Sequence, residues 1–203
     1  MKLPFLASFI VFIVWLRFRL NRSEHHAANS EESFWERESQ ANSTRRKSLD
    51  VLDYIIIPTN DLPMHIMEED EEIRTVLSTI ERLSQNKIVN LTGLSNTDLK
   101  LKYGAPNLPL LMEYDQNYTL LARTLQKWAS LLYEGQYTDE AKTVLEFAVS
   151  TRTDVAATYA LLARIYKKQG ESSRIASLKE AASLLSPSTG KRVMQQLMEI
   201  EAQ

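Results

Sequence analysis

The sequence predicts an all-α protein with a single apolar helix at its N-terminus, a polar linker, and a C-terminal α-α superhelical repeat domain with capping helices. Three observations carry this expectation. Leu3 to Leu16 is apolar apart from Pro4 and Ser8, and Phe18 and Leu20 extend the run. Only 5 Gly and 6 Pro occur in 203 residues, too few for a turn-rich β-sandwich and suited to helices joined by short loops. Two segments near the C-terminus align at a spacing of 34 residues.

Composition excludes several function classes. The net charge of -2 gives no general basis for phosphate binding, so no nucleic acid is expected. The chain has no Cys, which removes disulfides, thiolate metal sites and cysteine nucleophiles. Charge is unevenly placed. Residues 49–115 hold 12 acidic and 5 basic side chains, whereas both flanks are mildly basic. Four regions follow: a transmembrane anchor at 1–20, a polar juxtamembrane linker at 21–48, an acidic helical cap region at 49–115 and the repeat domain at 116–203.

The anchor is at the short end of what spans a bilayer, where about 17 to 20 residues are needed. Arg17 and Arg19 can reach back to the headgroups, and Trp15 stands where an interfacial aromatic belongs. A cleaved signal peptide is the alternative, but Arg17, Arg19 and Arg22 follow the run at once instead of a small-residue cleavage site. Those positive charges predict a single-pass protein of the cell membrane with its C-terminal domain in the cytoplasm.

The linker is polar and mixed in charge, a composition that cannot bury enough apolar area to order itself. Phe34-Trp35 is the exception, expected to pack on the domain or rest on headgroups, with a small docking or interfacial motif as the alternative. Arg45-Arg46-Lys47 forms a short basic cluster, suited to anionic lipid or to solvent. His25 and His26 are adjacent and lack a third ligand, so no metal is expected.

In the acidic region, Ile55-Ile56-Ile57 reads as a short strand or an extended packing arm, ended by Pro58. Glu68 to Glu72 open a helix, since carboxylates are stabilised at its N-terminus. Ile73, Val76, Leu77, Ile80 and Leu83 then recur at helical spacing. Asn96 or Thr97 can cap a short helix over Asp98 to Tyr103 that Gly104 closes. Pro106 and Pro109 mark a break before further helix.

The repeat begins near Ala122. At an offset of 34, Leu125 matches Tyr159, Trp128 matches Leu162, Ala129 matches Ala163, Leu132 matches Tyr166 and Ala148 matches Ala182. Gly135 and Gly170 lie 35 apart, which predicts an inter-helix turn one residue different in length. First helices are expected over about 118–134 and 155–169, second helices over about 138–151 and 172–185. Ala129 and Ala163 allow close helix approach. Pro187 is expected to stop the last of these helices, and a final helix from Lys191 to Ala202, with Val193, Leu197 and Ile200 on one face, should cap the array.

A 34-residue period with large, large-small, large, Gly and later Ala positions resembles the tetratricopeptide repeat. About 80 of the 203 residues share it, with the fit weakening where Thr153, Ile175 and Lys179 depart from the pattern. The chain as a whole is similar to a group of bacterial membrane-anchored tetratricopeptide proteins of Gram-positive type, through SLDVLDYIIIP, KIVNLTGLSNTDLKLKYG and LARTLQKWASLLYEG. That resemblance implies an anchor plus a repeat domain and implies no activity.

Such repeats bind peptides along the face formed by their first helices. Here that face holds Arg123, Gln126, Lys127, Ser130 and Tyr133, then Arg164, Lys167 and Lys168 beside Ala160. Its basic residues predict a protein or peptide partner with acidic character, held by charge-assisted hydrogen bonds, and a scaffold or adaptor role. Two alternatives stay open: a structural or autoinhibited helical protein whose acidic region docks on this face, and an enzyme using carboxylates. Catalysis is not expected, because there is no phosphate loop and Ser84-Gln85-Asn86-Lys87 lacks the motifs that accompany a catalytic S-x-x-K. No cofactor and no small-molecule substrate are expected.

Overall fold

The structure, a computed structural model, describes residues 32–202. The expected anchor at 1–20 and the His25-His26 pair lie outside these residues. Among the described residues no helix is long and apolar enough to cross a membrane, and the regular structure is helical, with one isolated antiparallel bridge, Tyr54 to Val89. The described residues form two compact units, one of 32–48 with 95–108 and one of 49–94 with 109–202.

In the first unit, residues 32–43 form a helix (α1) where the sequence predicted a linker. Partners about 60 residues away stabilise it, and local composition cannot reveal these. Glu38 pairs with Lys100 and accepts from Thr97 Oγ1, Arg37 pairs with Asp98, and Ala41 is buried. Helix α3 (Asn96–Tyr103) is capped by Ser95 in a reciprocal box with Asp98, one residue earlier than expected. Gly104 closes it at φ 95, where a Cβ would meet the Arg45 carbonyl oxygen at 2.2 Å. Arg46 Nε donates to Asn107 Oδ1 at 2.8 Å and Lys47 Nζ to the Leu101 carbonyl at 2.9 Å, so this basic cluster is partly engaged inside the unit. Phe34 and Trp35 do not pack into a core. They are 55% and 60% exposed and meet only edge to face.

In the second unit, Tyr54 makes the antiparallel bridge to Val89, and Ile55 N–H donates to the Ile88 carbonyl. Helix α2 (Glu71–Ser84) starts three residues later than the acidic run, because Asp70 accepts from the Glu72 and Ile73 amides as N-cap. All five predicted apolar residues of α2 are buried. Helix α4 (Leu108–Glu134) passes through the expected boundary at 115/116 without a break. Pro109 falls in its first turn, where the missing N–H has no intrahelical partner to lose. Then come α5 (Thr138–Ser150), α6 (Ala156–Lys168), α7 (Ile175–Ser183) and α8 (Pro187–Ala202). Pro187 starts α8 and does not stop α7. One core takes Trp128, Ala129, Leu132, Leu162, Ala163, Tyr166 and the α8 residues Val193, Leu197 and Ile200, as the spacing predicted.

The two inter-helix turns have the same length, contrary to the expectation drawn from their glycines. Amides of Gly135, Gln136 and Tyr137 bond to the carbonyls of Leu131, Tyr133 and Leu132. Those of Gln169, Gly170 and Glu171 bond to Ile165, Lys167 and Tyr166, each 34 residues on. The left-handed position is Gln136 (φ 68) in the first turn and Gly170 (φ 76) in the second. Gly135 precedes this position, and a Cβ there would lie 2.7 Å from Met67 Sδ, near the end of a flexible side chain.

Candidate interaction surface

Helices α4 and α6 present the predicted face. Heptad-like burial of Leu125, Trp128, Ala129 and Leu132 leaves Arg123 and Lys127 exposed on α4. Burial of Tyr159, Leu162, Ala163 and Tyr166 leaves Arg164 and Lys168 exposed on α6, while Ala160 is buried.

Four of the eight predicted residues are tied up inside the molecule. Gln126 is half-buried: its Oε1 accepts from Thr158 Oγ1 at 2.7 Å, and its amide donates to Ser130 Oγ at 3.1 Å. Gln126 and Ser130 thus belong to a polar link between α4 and α6. Lys127 pairs with Glu72 of α2 at 2.9 Å. Lys167 is half-buried and donates to the Ile200 carbonyl at 2.8 Å, at the C-terminal end of α8, where a cation is favoured.

Of the others, Tyr133, Arg164 and Lys168 are brought together. The Lys168 ammonium lies 5.8 Å from the centre of the half-buried Tyr133 ring. Arg164, Lys167 and Lys168 line an open hollow of about 300 Å³ with Ile200. Arg123, Arg164 and Lys168 have no ion-pair partner among the described residues. Spacing on one helix revealed these cations. It could not reveal Glu72, Thr158 or Ile200, which come from elements 32 to 55 residues away.

A second charged cluster joins α5 to the turn after α6. Lys142 Nζ reaches Gln169 Oε1 at 2.7 Å and Glu171 Oε1 at 3.0 Å. Arg174 pairs with Glu146 at 2.8 Å and Glu171 at 3.1 Å, and Tyr166 donates to Glu146 at 2.9 Å. Hydrogen bonds from Lys142 and Arg174 hold the Glu171 carboxyl below the usual glutamate range. Burial first, then the bond to Glu146, pushes the Tyr166 phenol up. Each member answers another, so the cluster is a joint between helix pairs. No group of three or more His, Asp or Glu among the described residues is arranged to hold a metal ion.

No protein-family model matches this chain, and neither the curated proteins nor the solved structures contain a significant match to it.

Proposed function

We propose that this chain is a membrane-anchored protein–protein interaction module of tetratricopeptide type that takes an acidic peptide segment on the α4/α6 face. The observation that carries the reading is the hollow lined by Arg164, Lys167 and Lys168, with Arg164 and Lys168 free of carboxylate partners among the described residues. Arg123 and Lys127 extend the same sign of charge along α4. Guanidinium and ammonium groups on rigid helices suit carboxylates, which they hold by charge-assisted hydrogen bonds. The anchor would be residues 1–20, with the module on the cytoplasmic side.

The test replaces Lys127, Arg164 and Lys168 by Glu and compares the proteins that co-purify with each form from cross-linked membranes. Loss of a shared set of acidic-segment partners is expected; an unchanged set would refute the reading. The Lys127–Glu72 pair favours a second reading, in which the acidic region masks part of this face. Because α2 buries five residues in the core, unmasking has to act on the side chain alone. E72Q should raise capture if masking operates, and equal capture would rule it out.

A further inference from the structure

A hollow of about 600 Å³ in the second unit is lined by none of the eight predicted residues. Its walls are the segment at 53–56, the loop at 90–93, the end of α5 with the turn that follows, and the connection from α7 to α8. A volume of this size is in the range of built ligand sites.

Its lining has three features. Ile56 is 83% exposed and Leu184 72% exposed, and both line this one concavity although 128 residues separate them. Single exposed aliphatic residues are ordinary, but convergence of two from distant segments, with Phe147 beside them, makes a patch. The mouth carries Asp53, Asp154 and Arg152, and none forms an ion pair among the described residues. The net sign there is negative. Finally, the floor is tied down by hydrogen bonds. Arg152 sits in the left-handed region at φ 59, a strained conformation for a residue with a Cβ. The Asn90 amide holds it by donating to the Thr151 and Arg152 carbonyls at 3.1 and 3.2 Å. Tyr118 donates to the Thr151 carbonyl at 3.3 Å, and Tyr159 to the Thr153 carbonyl at 3.0 Å. Burial pushes the Tyr159 phenol up to about 12, so it remains a donor at neutral pH.

We propose that this hollow is a second docking site, which takes an extended segment of a protein partner carrying an aliphatic or aromatic side chain next to a Lys or Arg. The apolar side chain covers Ile56, Leu184 and Phe147, and the cation answers Asp53 and Asp154. An extended peptide backbone fits because this segment already pairs on one side, through the Tyr54–Val89 antiparallel bridge. Ile55 N–H is spent on Ile88, whereas Ile56 has no backbone hydrogen bond among the described residues and offers an edge for strand addition. The charge preference is opposite to that of the α4/α6 face, so the two sites select different peptides.

The test uses phage-displayed random peptides about a dozen residues long, selected on the full-length chain and counter-selected on an I56D/L184D variant. Both side chains are exposed, so the variant keeps its fold, which circular dichroism checks. Enriched peptides should pair apolar residues with Lys or Arg. As synthetic peptides they should bind about tenfold more weakly to I56D/L184D and to D53N/D154N. The K127E/R164E/K168E variant should bind them unchanged, which separates this site from the α4/α6 face. Failure to enrich any sequence class, equal binding to I56D/L184D, or loss of binding only on K127E/R164E/K168E would each overturn the proposal.

Discussion

Exchanging glycine between the two inter-helix turns should move stability in opposite directions by similar amounts. Gln136 and Gly170 occupy the same place in matching hydrogen-bond patterns, at φ 68 and φ 76. A left-handed backbone costs an L-residue about 1–2 kcal/mol through its Cβ. Glycine avoids this but gives up about 0.4–1 kcal/mol through the freedom of its unfolded chain. The difference is about 1 kcal/mol. A Cβ at Gly170 meets nothing within 4 Å, so the backbone term acts alone there. Gln136 is exposed and its side chain makes no hydrogen bond among the described residues, so little is lost with it. Q136G should therefore stabilise by about 1 kcal/mol and G170Q destabilise by about as much, each moving Tm by about 2–4 °C in a domain of this size. The double exchange should restore the starting value. Urea and thermal unfolding followed by circular dichroism read all three variants. A neutral G170Q, or a destabilising Q136G, would refute the claim that the two turns share one backbone geometry.

Two further outcomes follow from buried groups and from the joint between helix pairs. Trp128 is fully buried and its indole N–H has no partner among the described residues, which costs about 1–3 kcal/mol; W128F should thus stay within about 1 kcal/mol of the parent while W128A loses about 3–5 kcal/mol, and equal losses in urea titrations would mean the N–H is satisfied. Glu171 has its carboxyl held below the ordinary value of 4.5, so its contribution is present above that value and fades as pH falls through the lower folded one; E171Q should flatten the acid limb of the stability–pH curve, and an unaltered limb would count against the Lys142 and Arg174 contacts.

Periodicity made the apolar faces of α2 and α8 legible, along with the 34-residue step, because each is written in residues a few positions apart. The beginning of α4 was not legible, since Pro106 and Pro109 read as a break, whereas a proline in the first helical turn removes no bond. Helix α1 was hidden for another reason: its stability comes from Lys100, Thr97 and Asp98, which are nothing like local. The glycines misled the turn length because they stand at different places in the two turns: Gly170 holds the left-handed position that Gln136 holds in the first turn, whereas Gly135 precedes it and faces Met67. The basic face was legible as a stripe of cations. Which of them were already engaged depended on Glu72 and the end of α8, and the larger hollow drew its walls from four separate segments.

The joint of Lys142, Glu146, Tyr166, Gln169, Glu171 and Arg174 has a consequence for how the repeat region comes apart. In a linear array each pair of helices answers mainly to its neighbour, and cooperativity is set by the strength of that junction. This junction combines the buried α5/α6 contact with a chain of ion pairs and hydrogen bonds at its edge. Fraying that starts at α7 and α8 then meets the α5/α6 contact and these pairs before it reaches α4 and α5, and that junction is what couples the two helix pairs.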